Sequence, residues 1–206
     1  MPLPVRLNVL LAVVAGLGAC LVAVQVWETP LREALIYDRA AIRAGDWWRL
    51  LTGHLVHAGW LHMVFNLAAL LILGGLLNVT PPRPAGTATV MAVLFVSTGL
   101  GLFLGLPDIQ RYSGLSGVLH GLAVVTAGYR WPHYPLSAGL LGAGVACKLV
   151  YESIAGPNPA TAAAMGGDIV IGSHVSGALS GVVALALVVA GRRMFVTVPT
   201  DSGAAH

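Results

Sequence analysis

A serine, an asparagine and several histidines interrupt stretches of the chain that are otherwise apolar. His62 and Asn66 come first, Ser116 lies within a Gly-Leu-Ser-Gly run, and His174 follows later. A serine nucleophile needs a base to accept its proton, and acyl transfer also needs donors that stabilise an oxyanion. Imidazole and amide groups can serve these purposes, and in segments apolar enough for lipid they indicate a functional site. The set predicts chemistry carried out inside a membrane.

Ser116 is the predicted nucleophile. The sequence predicts a helix that begins near Ser113 and places Ser116 below its start, where unpaired backbone N–H groups favour negative charge. Gly114 and Gly117 leave room for a peptide beside the hydroxyl. The same four residues would also suit a small-residue packing face between membrane helices, and the run alone does not separate the two interpretations.

Small residues line the two helices that would bring the serine to a base. Gly177 and Gly181 follow His174 on one helical face, and Gly117 and Gly121 follow Ser116. Helices with such faces can approach closely, so the spacing predicts that His174 reaches Ser116. The alternative is a histidine that bonds a neighbouring helix for structural reasons.

His120 is a second candidate base. It follows Ser116 by four residues and therefore shares its helical face. We expect a packing or hydrogen-bonding role for His120 beside the site, because one helix rarely supplies both a nucleophile and a well-aligned base.

His62 and Asn66 are also four residues apart, and both would point from one face of the second membrane helix. Together with the Ser116 backbone N–H they could donate to an oxyanion, while His57 would lie at or just before the outer end of that helix. A metal site formed by His54, His57 and His62 is the competing interpretation. It is weaker because no carboxylate or cysteine accompanies these histidines.

The elements that position these residues must be membrane helices. The chain of 206 residues is 57% hydrophobic and 9% charged, and its mean hydropathy of +0.83 excludes an ordinary soluble domain. Its apolar stretches are long enough for bilayer-spanning helices and lack the alternation of membrane strands. We therefore predict an all-α, polytopic membrane protein with a single domain over 1–206 and six transmembrane helices. Their approximate bounds are 7–27, 55–78, 86–106, 113–130, 134–151 and 169–191.

Arginines predict the orientation of the chain. Arg6, Arg83, Arg130, Arg192 and Arg193 fall at the helix ends that six crossings place on one side. By the positive-inside rule that side is cytoplasmic, and so are both termini. The net charge of +3 arises from arginines spread singly along the helix ends, which indicates orientation signals and no nucleic-acid partner.

As an ordered set, these motifs resemble the rhomboid family of intramembrane serine proteases. The motifs are Trp48-Arg49, His57 with His62-x-x-x-Asn66, Gly-Leu-Ser116-Gly, and His174-x-x-Gly177-x-x-x-Gly181. The resemblance implies a six-helix rhomboid fold with Ser116 as nucleophile, His174 as base and acid, and His62 and Asn66 as oxyanion donors. Many rhomboids have a tyrosine at the position of His120, stacked on the catalytic histidine. No metal or other cofactor is implied.

Three segments look like the rhombosortase branch of that family. They are the run from Gly45 to His54, the Ser116-Gly-Val-Leu-His120-Gly run, and Lys148-Leu-Val-Tyr151-Glu152. This resemblance implies membrane-anchored substrates with a C-terminal tail, made of a Gly-Gly segment, one transmembrane helix and a basic end. It also implies a multi-pass protein of the bacterial inner membrane with an active site that opens toward the periplasm.

Lys148, Tyr151 and Glu152 are candidates for a substrate gate. An ion pair between Lys148 and Glu152, with Tyr151 anchored among the headgroups, is the equally weighted alternative. The Gly- and Ala-rich loop at 156–167 is a second candidate gate.

Three other functions are alternatives to a protease of sorting tails. They are a general rhomboid protease of other single-pass proteins, a non-catalytic rhomboid-like protein that binds membrane helices, and a small metal or ion transporter.

Overall fold

The computed structural model describes residues 3–27, 30–78, 84–167 and 169–196, which are mostly helical. The helices within these ranges are α1 (Leu3–Val26), α2 (Pro30–Leu35), α3 (Arg39–Arg43), α4 (Arg49–Thr52), α5 (Trp60–Asn78), α6 (Pro84–Gly105), α7 (Ser116–Arg130), α8 (Pro135–Ala155), α9 (Pro159–Met165) and α10 (Ile171–Val196). Two short strands, β1 (Tyr37–Asp38) and β2 (Arg111–Tyr112), pair in antiparallel register. The predicted class is all-α, and this short pair of strands is a small departure from it.

Four helices of the described chain are long and apolar enough to cross a membrane: Trp60–Asn78, Gly86–Gly105, Pro135–Ala155 and Ile171–Ala190. The chain is therefore a multi-pass membrane protein. The apolar stretch Leu11–Val26 is shorter, and α7 has only 15 residues. Six crossings and cytoplasmic termini stay predictions, and Arg83, one of the predicted orientation signals, lies outside the described residues.

Helix α7 lies at the centre of the bundle and packs against α5, α6, α8 and α10. Most of its residues are buried, including Val118, Leu122 and Val125. These side chains join Leu70 and Leu94 in the main apolar core. A helix enclosed in this way gains its stability from packing against its neighbours, so it does not need the length of a lipid-facing span.

The connection between α1 and α5 folds into short elements that cover one end of the bundle. Asp38 caps α3 by accepting from the Ala41 N–H at 3.0 Å. Arg39 is 2% exposed and donates to four backbone carbonyls at and beyond the end of α6. Their oxygens belong to Leu102, Phe103, Leu106 and Ile109, at 2.7 to 2.9 Å. Because the last carbonyls of a helix have no partner within the helix, this guanidinium caps α6 and ties the α1–α5 connection to it.

Several helix boundaries differ from those predicted. Helix α5 begins at Trp60, not near residue 55, so His57 lies in the preceding loop. Helix α7 begins at Ser116, not at Ser113, because the backbone before it is held against the α1–α5 connection. There the Gly114 N–H donates to Gly53 O at 3.2 Å, and Gly114 has a φ of 129° that helices do not use.

Helix α8 extends to Ala155, beyond the predicted end at residue 151, and therefore includes Glu152. The segment at 156–167, predicted as a loop, contains α9. Asn158 starts this short helix by accepting from the Thr161 N–H at 3.1 Å, and Pro159 occupies its first position.

Candidate active site

The first turns of α7 and α10 bring Ser116 and His174 together. Ser116 is the first residue of α7, and His174 lies in the first turn of α10. His174 Nε2 is 3.0 Å from Ser116 Oγ, within hydrogen-bond distance. His174 is buried, with 4% of its surface exposed, and the contact lies at the wall of a cavity. A hydroxyl and an imidazole in this arrangement can form a nucleophile and its base.

Glycines allow the close crossing of α7 and α10 that this contact requires. A Cβ added at Gly177 would overlap the carbonyl oxygen of Gly117, and one at Gly117 would lie 2.7 Å from Ser173 O. One turn further along, Cβ atoms at Gly121 and Gly181 would each lie 2.5 Å from a backbone oxygen of the facing helix. The backbones therefore touch along one glycine strip, and larger residues there would push His174 away from Ser116.

Glu152, in the last turn of α8, contacts the other side of the His174 ring. Its Oε2 is 2.8 Å from His174 Nδ1, and its Oε1 accepts from Lys148 Nζ. A carboxylate can only accept hydrogen bonds, so His174 Nδ1 carries the proton and Nε2 is free to accept from the Ser116 hydroxyl. The contacts fix both the orientation and the tautomer of the imidazole.

His120 stacks on His174 and is not directed at the serine hydroxyl. The two rings are nearly parallel, at 16°, with centroids 4.2 Å apart. His120 Nδ1 donates to the backbone oxygen of Ser116 at 2.7 Å. Of the two candidate bases, His174 is the one whose ring nitrogen bonds to Ser116 Oγ.

His62 and Asn66 line the same cavity as Ser116 and His174. Asn66 is 5% exposed, and its Nδ2 has no hydrogen-bond partner among the described residues. His62 Nδ1 is likewise without a partner in the described part of the chain. Unpaired buried polar atoms are costly, and beside a serine hydroxyl that contacts an imidazole they are suited to receive a charged oxygen. Gly114 leaves the space that the His62 ring needs, because a Cβ there would lie 2.8 Å from His62 Cε1.

His57 and His54 lie behind this site. The His57 ring packs edge-on against His62 with centroids 5.0 Å apart, and its backbone oxygen accepts from Arg32. His54 packs between Phe95 and Tyr112. Burial lowers the pKa of His57 to about 3 and that of His54 to about 4, so both are neutral near pH 7.

The potential metal ligands that cluster in the described residues differ from the predicted ones. They are His120, Glu152 and His174, whose ligand atoms lie within 4.8 Å of one another. These side chains already bond to each other or to Ser116, as hydrogen-bonding groups of a serine nucleophile would. His54, His57 and His62 do not form such a group.

The cavity has a volume of about 430 Å³ and reaches the serine from the end of the bundle where α5, α7 and α10 begin. Met165 of α9 forms part of its wall, as do Lys148 and Glu152 of α8. Tyr151, the third predicted gate residue, does not line the cavity and is 59% exposed. The space suits a short extended peptide segment better than a whole helix.

The contact between Glu152 and His174 is not predicted by the sequence. The available signal was the acidic residue of a largely apolar helix, close to the end that faces the other polar clusters. The spacing of Lys148 and Glu152 predicts an ion pair, which the structure contains, but local spacing carries no signal of a partner on another helix.

Comparison with protein families identifies the class of protein that this fold and site represent. The rhomboid domain model matches residues 44–191, which is more than half of the chain. The chain belongs to the rhomboid family, a family of intramembrane serine proteases that act on membrane proteins within the bilayer. A comparison with curated proteins found no match.

Proposed function

We propose that this chain is an intramembrane serine endopeptidase in which Ser116 is the nucleophile and His174 the general base and acid. The observation that carries the proposal is the 3.0 Å distance between Ser116 Oγ and His174 Nε2, at the wall of a cavity large enough for a peptide. Membership of the rhomboid family supports the same chemistry. The whole chain, 1–206, acts as one membrane domain.

The reaction proceeds through an acyl-enzyme. Ser116 Oγ attacks the scissile carbonyl carbon as His174 Nε2 takes the hydroxyl proton, and the imidazolium then gives that proton to the leaving amine. Water that enters through the cavity attacks the ester, with His174 again as base, and releases Ser116. None of these steps needs a metal or an organic cofactor.

The oxyanion is held by three donors, the Ser116 backbone N–H and the side chains of His62 and Asn66. Ser116 is the first residue of α7, so its N–H has no partner within the helix and the helix dipole favours negative charge there. The unpaired Asn66 Nδ2 and His62 Nδ1 support this assignment. His120 and His57 support the site by packing on His174 and His62.

The reaction takes place below the membrane surface. The 15 residues of α7 rise by about 22 Å, which is less than the about 30 Å of a bilayer core. If Arg130 at its other end lies at the cytoplasmic boundary, Ser116 is inside the outer leaflet. The chain then crosses the bacterial inner membrane six times with cytoplasmic termini, and its cavity opens toward the periplasm.

The proposed substrates are membrane-anchored proteins whose C-terminal tail contains a Gly-Gly segment, a transmembrane helix and a basic end. The resemblance of three segments to rhombosortases supports this class. A cleavage site must also leave its helix and extend to enter a narrow cavity, and glycine lowers the cost of that change. Cleavage of other single-pass proteins is the alternative.

A fluorophosphonate probe tests the nucleophile without a natural substrate. We expect purified wild-type protein to be labelled on Ser116 and Ser116→Ala to remain folded and unlabelled. His174→Phe should lose labelling, while His120→Tyr, which keeps a stacked ring, should retain it. Labelling of Ser116→Ala at the wild-type rate would refute the assigned nucleophile, and the reverse histidine pattern would refute the assigned base.

A substrate pair tests the sorting-tail specificity. A single-pass protein with the Gly-Gly tail and a matched protein with Val-Val at the same position are reconstituted with the enzyme in liposomes. Mass spectrometry should find a cut in the Gly-Gly protein only, and no cut with Ser116→Ala. Equal cleavage of both proteins would favour a general rhomboid protease, and labelling without cleavage of either would exclude this substrate class.

A further inference from the structure

The carboxylate of Glu152 is held between a histidine and a lysine. Its Oε2 lies 2.8 Å from His174 Nδ1, and its Oε1 bonds to Lys148, so each oxygen has its own donor. The Glu152 side chain is 9% exposed and the His174 side chain 5%, whereas Lys148 is 48% exposed at the cavity rim. A buried carboxylate is costly unless it is paired and hydrogen-bonded, and here both conditions are met.

The local rules of helix stability do not explain why an acid occupies this position. Glu152 lies in the last turn of α8, where the helix dipole disfavours a negative charge. Its pairing with Lys148 also has the less favourable order, with the lysine on the N-terminal side. A residue that opposes local preferences is expected to serve a contact elsewhere in the fold, and the contact made here is with His174.

We infer that Glu152 is a positioning residue that completes a Ser116–His174–Glu152 triad, in which it acts on the serine through the imidazole. It holds the Nδ1–H tautomer and stabilises the imidazolium that forms when Ser116 gives up its proton, while the proton stays on His174. Lys148 fixes the second carboxylate oxygen. This inference rests on the proposed protease function and extends it from two side chains to three.

A small fluorophosphonate probe contains no polypeptide. Its labelling rate therefore reports how Glu152 acts on Ser116, separately from any role of Glu152 in substrate recognition. The experiment measures the rate of fluorophosphonate labelling, per folded protein, for wild type, Glu152→Gln and Lys148→Met. Glu152→Gln keeps the shape but loses the charge, and we expect a fall of about 10² to 10⁴-fold. Lys148→Met removes the donor to the second carboxylate oxygen but leaves the contact between Glu152 and His174, so we expect a clearly smaller fall in the labelling rate than for Glu152→Gln.

Two further readouts separate positioning from a structural role. Glu152→Asp keeps a carboxylate and should recover labelling at least about tenfold over Glu152→Gln, whereas a purely structural contact gives both variants rates that follow their folded fraction. With a cleavable tail protein, Glu152→Gln should lower kcat and leave KM unchanged. If Glu152→Gln raised KM and left kcat and the labelling rate unchanged, Glu152 would be assigned to substrate recognition and the triad would be overturned.

The outcomes also distinguish this inference from the proposed function. Wild-type labelling that is lost in Ser116→Ala but unchanged in Glu152→Gln would overturn the triad and leave the protease proposal standing. Equal effects of Lys148→Met and Glu152→Gln would assign the carboxylate to the ion pair and also overturn it. A wild-type protein that is never labelled would refute the protease proposal itself.

Discussion

The crossing of α7 and α10 provides a direct test of how the fold positions Ser116 and His174. Gly177 follows His174 by one turn, and a Cβ added to it would overlap the carbonyl oxygen of Gly117. In Gly177→Ala the two backbones must therefore separate by about 1 Å or more, because the obstacle is backbone and not a flexible side chain. Overpacking of this kind costs about 1 to 3 kcal/mol of stability.

Separation of the α7 and α10 backbones should reduce the labelling rate more than it reduces the free energy of unfolding. His174 Nε2 starts 3.0 Å from Ser116 Oγ, so a shift of this size takes the pair out of hydrogen-bond range. A misplacement of about 1 Å can cost about 10²-fold in rate. We expect Gly177→Ala to be labelled by a fluorophosphonate about 10²-fold more slowly than wild type while the protein remains folded in detergent.

Two matched variants give the controls. Gly128→Ala introduces the same methyl at the other end of α7, where its nearest neighbour is the end of the Leu185 side chain at 2.6 Å, and that side chain can move. Gly75→Ala meets nothing within 4 Å. Both should label within a few-fold of wild type, since neither forces a backbone shift at the site. A Gly177→Ala protein that labels as fast as these two would refute the claim that the glycine contact sets the distance between Ser116 and His174.

Three other predictions concern the proposed oxyanion site, the α1–α5 connection and acid stability. Asn66→Ala should slow labelling by about 10² to 10³-fold at an unchanged unfolding temperature, because it removes one oxyanion donor; an unchanged rate would make Asn66 structural. Arg39→Ala leaves four carbonyls of the α6 end without their donor and should lower the free energy of unfolding by about 3 kcal/mol or more, with Arg39→Lys intermediate. Denaturant unfolding in detergent measures this loss, and a stable Arg39→Ala would contradict the capping role. Burial lowers the pKa of His57 from 6.5 to about 3, so its contribution to stability is complete above pH 6.5 and is lost as the pH falls toward 3. His57→Phe should flatten the unfolding temperature between pH 6.5 and 4, and a slope equal to wild type would show that His57 does not cause it.

The helical bundle and the meeting of two polar clusters could be predicted from sequence because their signals are local. Apolar runs of sufficient length predict membrane helices, and glycines at i+3 and i+7 from His174 mark a face that can approach another helix closely. Gly117 and Gly121 form a matching strip after Ser116, so the helix of Ser116 is the expected partner of the helix of His174. The structure places the two side chains 3.0 Å apart along that crossing.

The α1–α5 connection could not be predicted in the same way, because its structure depends on distant contacts. Its charges are nearly balanced in the sequence, yet Arg39 is buried and bonds to carbonyls more than 60 residues away along the chain. The same region determines where α7 starts, through the bond from Gly114 N to Gly53 O. A helix start fixed by tertiary contacts has no cap signal in the sequence, which explains the error of three residues at Ser116.

The short length of α7 illustrates a further limit of hydropathy. An apolar segment has the same hydropathy whether its side chains face lipid or other helices. The sequence therefore predicts α7 as a membrane-spanning helix like the others. The structure gives it 15 residues, most of them buried among α5, α6, α8 and α10. The cavity that Ser116 lines lies at the end of the bundle where α5, α7 and α10 begin. The glycine strip sets the distance between Ser116 Oγ and His174 Nε2, and the contacts that fix the start of α7 determine where Ser116 meets the cavity.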